Sequence, residues 1–159
     1  MDTVHRRKVR EFMARPPFFK RNISDEALDM FCTALTHDSY TNEAGGVESY
    51  ERLEFLGDAV VELVVCEHIF RSSDDDEGNM TSRKQDIVAN RKMSARILEK
   101  GLGIDDVMLV GNGHMDRVTK SSLPEENMRA DSFEALMGAY YLVYGLEDVR
   151  DAILGILTD

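Results

Sequence analysis

The segment Glu51 to Phe70 constrains the chain most. It runs twenty residues without a proline and repeats both its apolar and its acidic residues at helical spacing. At about 100° per residue, Glu51, Glu54, Asp58 and Glu62 fall within an arc of roughly 80°, while Leu53, Leu56, Ala59, Val60, Leu63 and Val64 take the opposite side. With Phe55 and Val65 on the flanks, the helix is apolar almost all round, which predicts a buried central helix. A buried acid stripe needs compensation. Neighbours on a helix three or four residues apart lie about 5–6 Å from each other, and two like charges there repel by about 3 kcal/mol even at an effective dielectric of 20. Gly57, inside this run, is about 1 kcal/mol less favourable than alanine in a helix interior and predicts a close backbone approach.

The rest of the chain also reads as helix, with no two-residue alternation bounded by hairpin turns, so an all-α fold is expected. Ser24 is placed to cap a helix reaching Leu35, and Ser49 to cap one from about Tyr50 to Phe70. The run Asp74 to Asn79 breaks the pattern, Thr81 reopens a helix, and Asn90 has the chemistry to cap the next one, which ends near Lys100 before Gly101 and Gly103. A loop around Gly111 to Pro124 leads to a helix from about Asn127 to Tyr144, and Gly145 separates it from Leu146 to Leu157. The length, 159 residues, fits one domain.

A second acid pair, Asp131 and Glu134, interrupts an otherwise core-like helix at i,i+3 spacing. Hard divalent cations take oxygen ligands, and Mg²⁺ in particular is held by a few carboxylates. Two facing acid pairs would form such a site, and the chemistry it serves is phosphodiester hydrolysis, in which the ion polarises the phosphodiester and activates a water. Acids at this spacing describe a solvated helix face equally well, so periodicity leaves both readings open.

Composition narrows the classes. An apolar fraction of 43% with only three prolines excludes a disordered or collagen-like chain. No apolar stretch approaches the roughly 20 residues needed to cross a bilayer, so no membrane partner is expected, and the basic start has no apolar segment of a secretory leader behind it. Cys32 and Cys66, with no disulfide framework, point to a reducing compartment, and a cytoplasmic location is expected. Neither the cysteines nor His5, His37, His68 and His114 have zinc-type spacing. The net charge is −11, yet residues 1 to 22 carry seven Lys or Arg against two acids, and residues 81 to 100 carry six against two. Charge is segregated.

Glu51 to Ala59, ERLEFLGDA, matches the signature segment of the ribonuclease III family without a break. Ala34 to Tyr40 resembles the family's upstream ALTHxSY motif, Glu77 to Thr81 its EGxLS-type loop, and Ala130 to Ala139 its ADxFEALxGA segment, in the family's order. The resemblance implies an all-helical endonuclease domain, homodimeric, cutting double-stranded or stem-loop RNA to 5′-phosphate and 3′-hydroxyl ends, as in ribosomal or transfer RNA processing. By motif position, Glu54, Asp58, Asp131 and Glu134 are the expected catalytic residues and Mg²⁺ ligands, with Mn²⁺ a substitute, and Glu51 and Glu77 are additional acidic positions. Phe55 corresponds to the aromatic of the dimer seam, and His37 is expected to be structural. Tyr50 stands where Asn is frequent and Arg129 where an apolar residue is common. The whole of 1–159 reads as one endonuclease domain without the double-stranded-RNA-binding domain of many bacterial members. A separate RNA-binding protein is therefore one conceivable partner.

Because duplex binding rests on neutralising phosphates, the basic segments supply the expected RNA contacts: Arg6, Arg7, Lys8 and Arg10, then Arg83, Lys84, Arg91, Lys92, Arg96 and Lys100. Three alternatives stand beside the nuclease: a non-catalytic RNA-binding or ribosome-associated relative, a hydrolase of DNA or small nucleotides, and a module whose acid stripe binds a basic protein.

Overall fold

Several helices begin at a side chain that caps them, and two end at a glycine, Gly45 and Gly145. The computed structural model describes residues 2–159, and among these lie eight α-helices and no strand, only isolated bridges between Thr36 and Leu109 and between Met115 and Ser122. The all-α expectation holds. Asp2 caps α1 (Thr3–Ala14) by accepting from the Val4 amide, and Ser24 caps α2 (Asp25–Ala34) by accepting from Ala27. The short α3 (Asp38–Ala44) is capped by the ring of His37, whose Nδ1 accepts from the Ser39 amide at 3.1 Å, in keeping with a structural role. Then follow α4 (Glu51–Ser72), α5 (Glu77–Val88), α6 (Asn90–Glu99), α7 (Glu126–Tyr144) and α8 (Leu146–Leu157).

Three local expectations need correction. Ser49 does not cap α4: its hydroxyl turns to the Glu51 carboxylate, and Tyr50 occupies the cap position without a side-chain bond, held instead by its amide donating to the Thr36 carbonyl. The acidic run is broken only as far as Asp76, which caps α5 through the Asn79 amide, so that helix starts four residues before Thr81. Asn90 does not cap α6 either, since Ala89 holds that position and the Asn90 side chain is used elsewhere.

The central helix is α7. It packs against α2, α4, α6 and α8, and every residue from Ser132 to Tyr140 is buried. By contrast α4 is central on one face only. Val60, Val61, Val64, Val65 and Ile69 are buried, whereas Phe55, Leu63 and Phe70 are 84%, 55% and 72% exposed. An apolar period shows which residues prefer cover, but not how many sides of a helix the rest of one chain can cover.

α4 and α7 cross at two glycines. A Cβ at Gly57 would lie 1.7 Å from the Glu134 carbonyl oxygen, and one at Gly138 would lie 2.5 Å from that of Leu53. No larger residue fits between the two backbones. The approach predicted from Gly57 therefore fixes where two acid-bearing helices meet.

Candidate active site

Bare glycine at the crossing brings the acidic edge of α4 against the first turns of α7. Glu54, Asp131 and Glu134 each offer a carboxylate oxygen, all within 4.8 Å of one another. They line an open cavity of about 520 Å³ together with Glu51, Asp58 and Glu62 from α4 and Gln85, Val88, Ala89 and Asn90 from the α5–α6 junction. The stripe is graded rather than buried as a whole. Glu134 is 6% exposed, Glu54 and Asp131 are half-buried, and Glu51 and Asp58 are exposed. Asp58 thus lines the cavity but stands outside the tight group of three, and Glu77 lies outside the cavity, where its carboxylate accepts from the Thr81 hydroxyl at 3.0 Å.

None of Glu54, Asp58, Asp131 and Glu134 makes an ion pair among the described residues. Their titration reflects this. Burial, then Asp131, Glu51 and Asp58, pushes Glu54 up to about 7, and burial, then Asp58, Asp131 and Glu54, pushes Glu134 up to about 8. Asp131 is raised as well, chiefly by burial, with a hydrogen bond from Asn90 acting in the opposite direction. Desolvation and like charge both oppose ionisation here. A set of hard oxygen donors with no internal cation is what a divalent ion of the Mg²⁺ type requires, so the residues fit the metal implied by the sequence.

Sequence reasoning missed Asn90, whose Nδ2 donates to Asp131 Oδ1 at 3.2 Å. It also missed the use of Arg129. That side chain is 9% exposed and grips Asp105 through two bonds of 2.8 and 2.6 Å, with a third to Ser94 Oγ at 2.9 Å. An apolar residue is not needed where the fold supplies an acid to pair with the guanidinium.

The basic segments divide in two. Arg6 pairs with Asp25 and Asp29, Arg10 with Asp25, Arg83 with Asp75, Lys84 with Glu62, and Arg96 with Glu99 and Asp159. Lys100 donates to the Thr158 carbonyl. Arg7, Lys8, Arg91 and Lys92 are exposed and outside any ion pair among the described residues, and Arg91 and Lys92 directly follow the cavity-lining Asn90.

On the other flank of α4, the exposed apolar stripe borders a groove of about 380 Å³ lined by Leu63, Cys66, Ile69, Phe70 and Met80, with Glu77 and Lys84 at its edge. No helix among the described residues is long and apolar enough to cross a membrane.

The Ribonuclease-III-like family model matches residues 28–159. Ribonuclease 3 of Onion yellows phytoplasma is 37% identical over 125 residues, covering 78% of this chain and 50% of that protein. Ribonuclease 3 of Mycobacterium bovis is 36% identical over 137 residues, covering 84% and 54%. The chain thus spans about half the length of these relatives. Two structures of the nuclease domain of ribonuclease III from Campylobacter jejuni superimpose on it. One, described as flexible in a region involved in dimer formation, has a TM-score of 0.70 at 28% identity and covers 86% of this chain and 88% of that one. The other has a TM-score of 0.72 at 25% identity and covers 99% and 95%. With its helical architecture and its crossing acid-bearing helices, the chain belongs to the ribonuclease III family.

Proposed function

We propose that this chain is a Mg²⁺-dependent, double-strand-specific endoribonuclease that works as a cytoplasmic homodimer, with 1–159 acting as one endonuclease domain. The observation that carries the reading is the convergence of Glu54, Asp131 and Glu134 within 4.8 Å at one cavity. A scaffold has no use for carboxylates held this close without a cation. Glu54, Asp131 and Glu134 would hold the metal, with Asp58 at the open side of the same cavity and Glu51 farther along the exposed edge. A bound divalent ion would supply charge to polarise a phosphodiester and to activate a water, leaving 5′-phosphate and 3′-hydroxyl ends. The protein's own part is to hold the carboxylates at fixed spacing and to keep the approach open on one side.

The dimer is supported by Phe55, Leu63 and Phe70, a line of large apolar groups along α4 that one protomer leaves open to water. Facing copies would cover it, with Phe55 entering the partner and Glu77 beside the seam. Of the expected RNA contacts, Arg7, Lys8, Arg91 and Lys92 stay exposed and outside any ion pair among the described residues, and against a net charge of −11 their binding of RNA depends on metal and weakens with salt. Structured precursors of ribosomal or transfer RNA are the proposed substrates, with a separate RNA-binding protein as a possible contributor of affinity.

The test is a gel assay on a long RNA duplex, a matched single strand and a DNA duplex, with Mg²⁺ and with chelator. Mg²⁺-dependent loss of the RNA duplex alone, to discrete short products, supports the reading. A folded dimer that cuts none of the three at low salt overturns it in favour of a non-catalytic relative.

A further inference from the structure

Asn90 sits at the junction of α5 and α6, half-buried, in the wall of the acid-lined cavity. Its side chain reaches across to α7, where Nδ2 donates to Asp131 Oδ1 at 3.2 Å and lies 3.5 Å from Asn127 Oδ1, one turn earlier on the same helix. The orientation of the amide follows from chemistry. An ionised carboxylate only accepts hydrogen bonds, so the NH₂ group and not the carbonyl must face Asp131. This is the one side-chain hydrogen bond made to any of Glu54, Asp58, Asp131 and Glu134 among the described residues. The neighbouring carboxylates repel one another, and burial desolvates Glu54, Asp131 and Glu134.

We infer that Asn90 is a positioning residue for the metal centre, fixing the rotation of the Asp131 carboxylate so that it presents an oxygen to a divalent cation. The inference rests on the metal-dependent reading above. Hydrogen bonds that orient a ligating carboxylate govern how well the group serves as a ligand, and their loss lowers metal affinity by about 10- to 100-fold. An oriented ligand set loses less conformational freedom when the ion arrives, and Asn90 supplies that order from a helix that carries no ligand of its own. Asn90 also neutralises part of the repulsion at Asp131 without adding a positive charge, which would compete with the ion for the site.

The experiment compares wild type, Asn90→Leu and the smaller Asn90→Ala by calorimetric titration with Mn²⁺ in the absence of RNA. Thermal melts establish folding, and cleavage rates are measured across both Mg²⁺ and RNA concentration. At least a tenfold weaker Mn²⁺ affinity in both variants is expected, with a matching rise in the Mg²⁺ needed for half-maximal cleavage and an RNA KM at saturating Mg²⁺ within twofold of wild type. Unchanged Mn²⁺ affinity in either folded variant, while wild type binds the ion, overturns the role of Asn90 and leaves the nuclease reading intact. A wild-type protein that binds no Mn²⁺ and cuts no RNA overturns the metal centre itself and the role of Asn90 with it.

Discussion

Two residues apart on α7, Arg129 and Asp131 show opposite treatments of charge near a protein core. Arg129 is fully answered: Asp105 meets its guanidinium with both oxygens, and Ser94 and the Pro124 carbonyl take further N–H groups. Asp131 is left beside Glu54 and Glu134, with one neutral amide for relief. A compensated buried charge holds the start of α7 against the 105 loop and the α6 helix. An uncompensated set is what the proposed metal centre needs. The two arrangements look alike in the sequence, as charged residues interrupting an apolar helix, and only the partner across the gap separates them.

The contrast breaks first at the carboxylates. Glu54→Ala and Asp131→Ala should each abolish duplex cleavage while the fold survives, because each removes a repulsive charge from the resting protein, and normal cutting by either variant would place the active site elsewhere. Next comes Arg129→Ala. It removes two hydrogen bonds to the partly exposed Asp105 and one to Ser94, and should destabilise the protein by about 1–3 kcal/mol, read as a lowered denaturant midpoint with Mg²⁺ present or absent. Gly57→Ala drives a methyl group onto the Glu134 carbonyl. Overpacking of this kind costs about 1–3 kcal/mol, and circular dichroism melts together with lost cleavage would show stability and ligand spacing failing at once.

The smallest effect is the dependence on pH. Glu54 and Glu134 are raised in the folded state, to about 7 and about 8, above the ordinary carboxylate value of 4.5. The stability they contribute is full below 4.5 and is lost as pH rises through 7 and 8, because the unfolded chain ionises freely there and the folded one cannot. The metal-free protein should therefore melt at lower temperature at pH 8 than at pH 5.5, and Mn²⁺ should flatten the slope. A Glu134→Gln variant that keeps the full wild-type slope would show that the carboxylates are not its source.

Helix ends with a local signal were legible in the sequence: Ser24 and Gly145 lie where capping chemistry predicts. The acid residues were legible through their spacing, and the α4–α7 approach through Gly57. What the sequence did not reveal lies across the fold. Asn90 has the composition of a cap and does the work of a hydrogen-bond donor, because its partner is forty-one positions away. The cations of α1 and α5 looked available for RNA, yet Arg6, Arg10, Arg83 and Lys84 are matched to acids on adjacent elements. The primacy of α7 over α4 was equally hidden, since both are apolar on most sides and only packing shows which is enclosed.

The side-by-side stripes of α4 carry a consequence for how such a sequence can diverge. Acids and open apolar groups share one rigid rod whose phase is locked at Gly57, so inserting or deleting a single residue between Asp58 and Glu62 would turn Glu62, Leu63 and Phe70 by about 100° relative to Glu54 and Asp58. Catalytic spacing and any contact along Phe55, Leu63 and Phe70 would drift apart together. Length variation among relatives should therefore accumulate in the 15–24 and 111–124 loops, while Glu51 to Phe70 keeps its register.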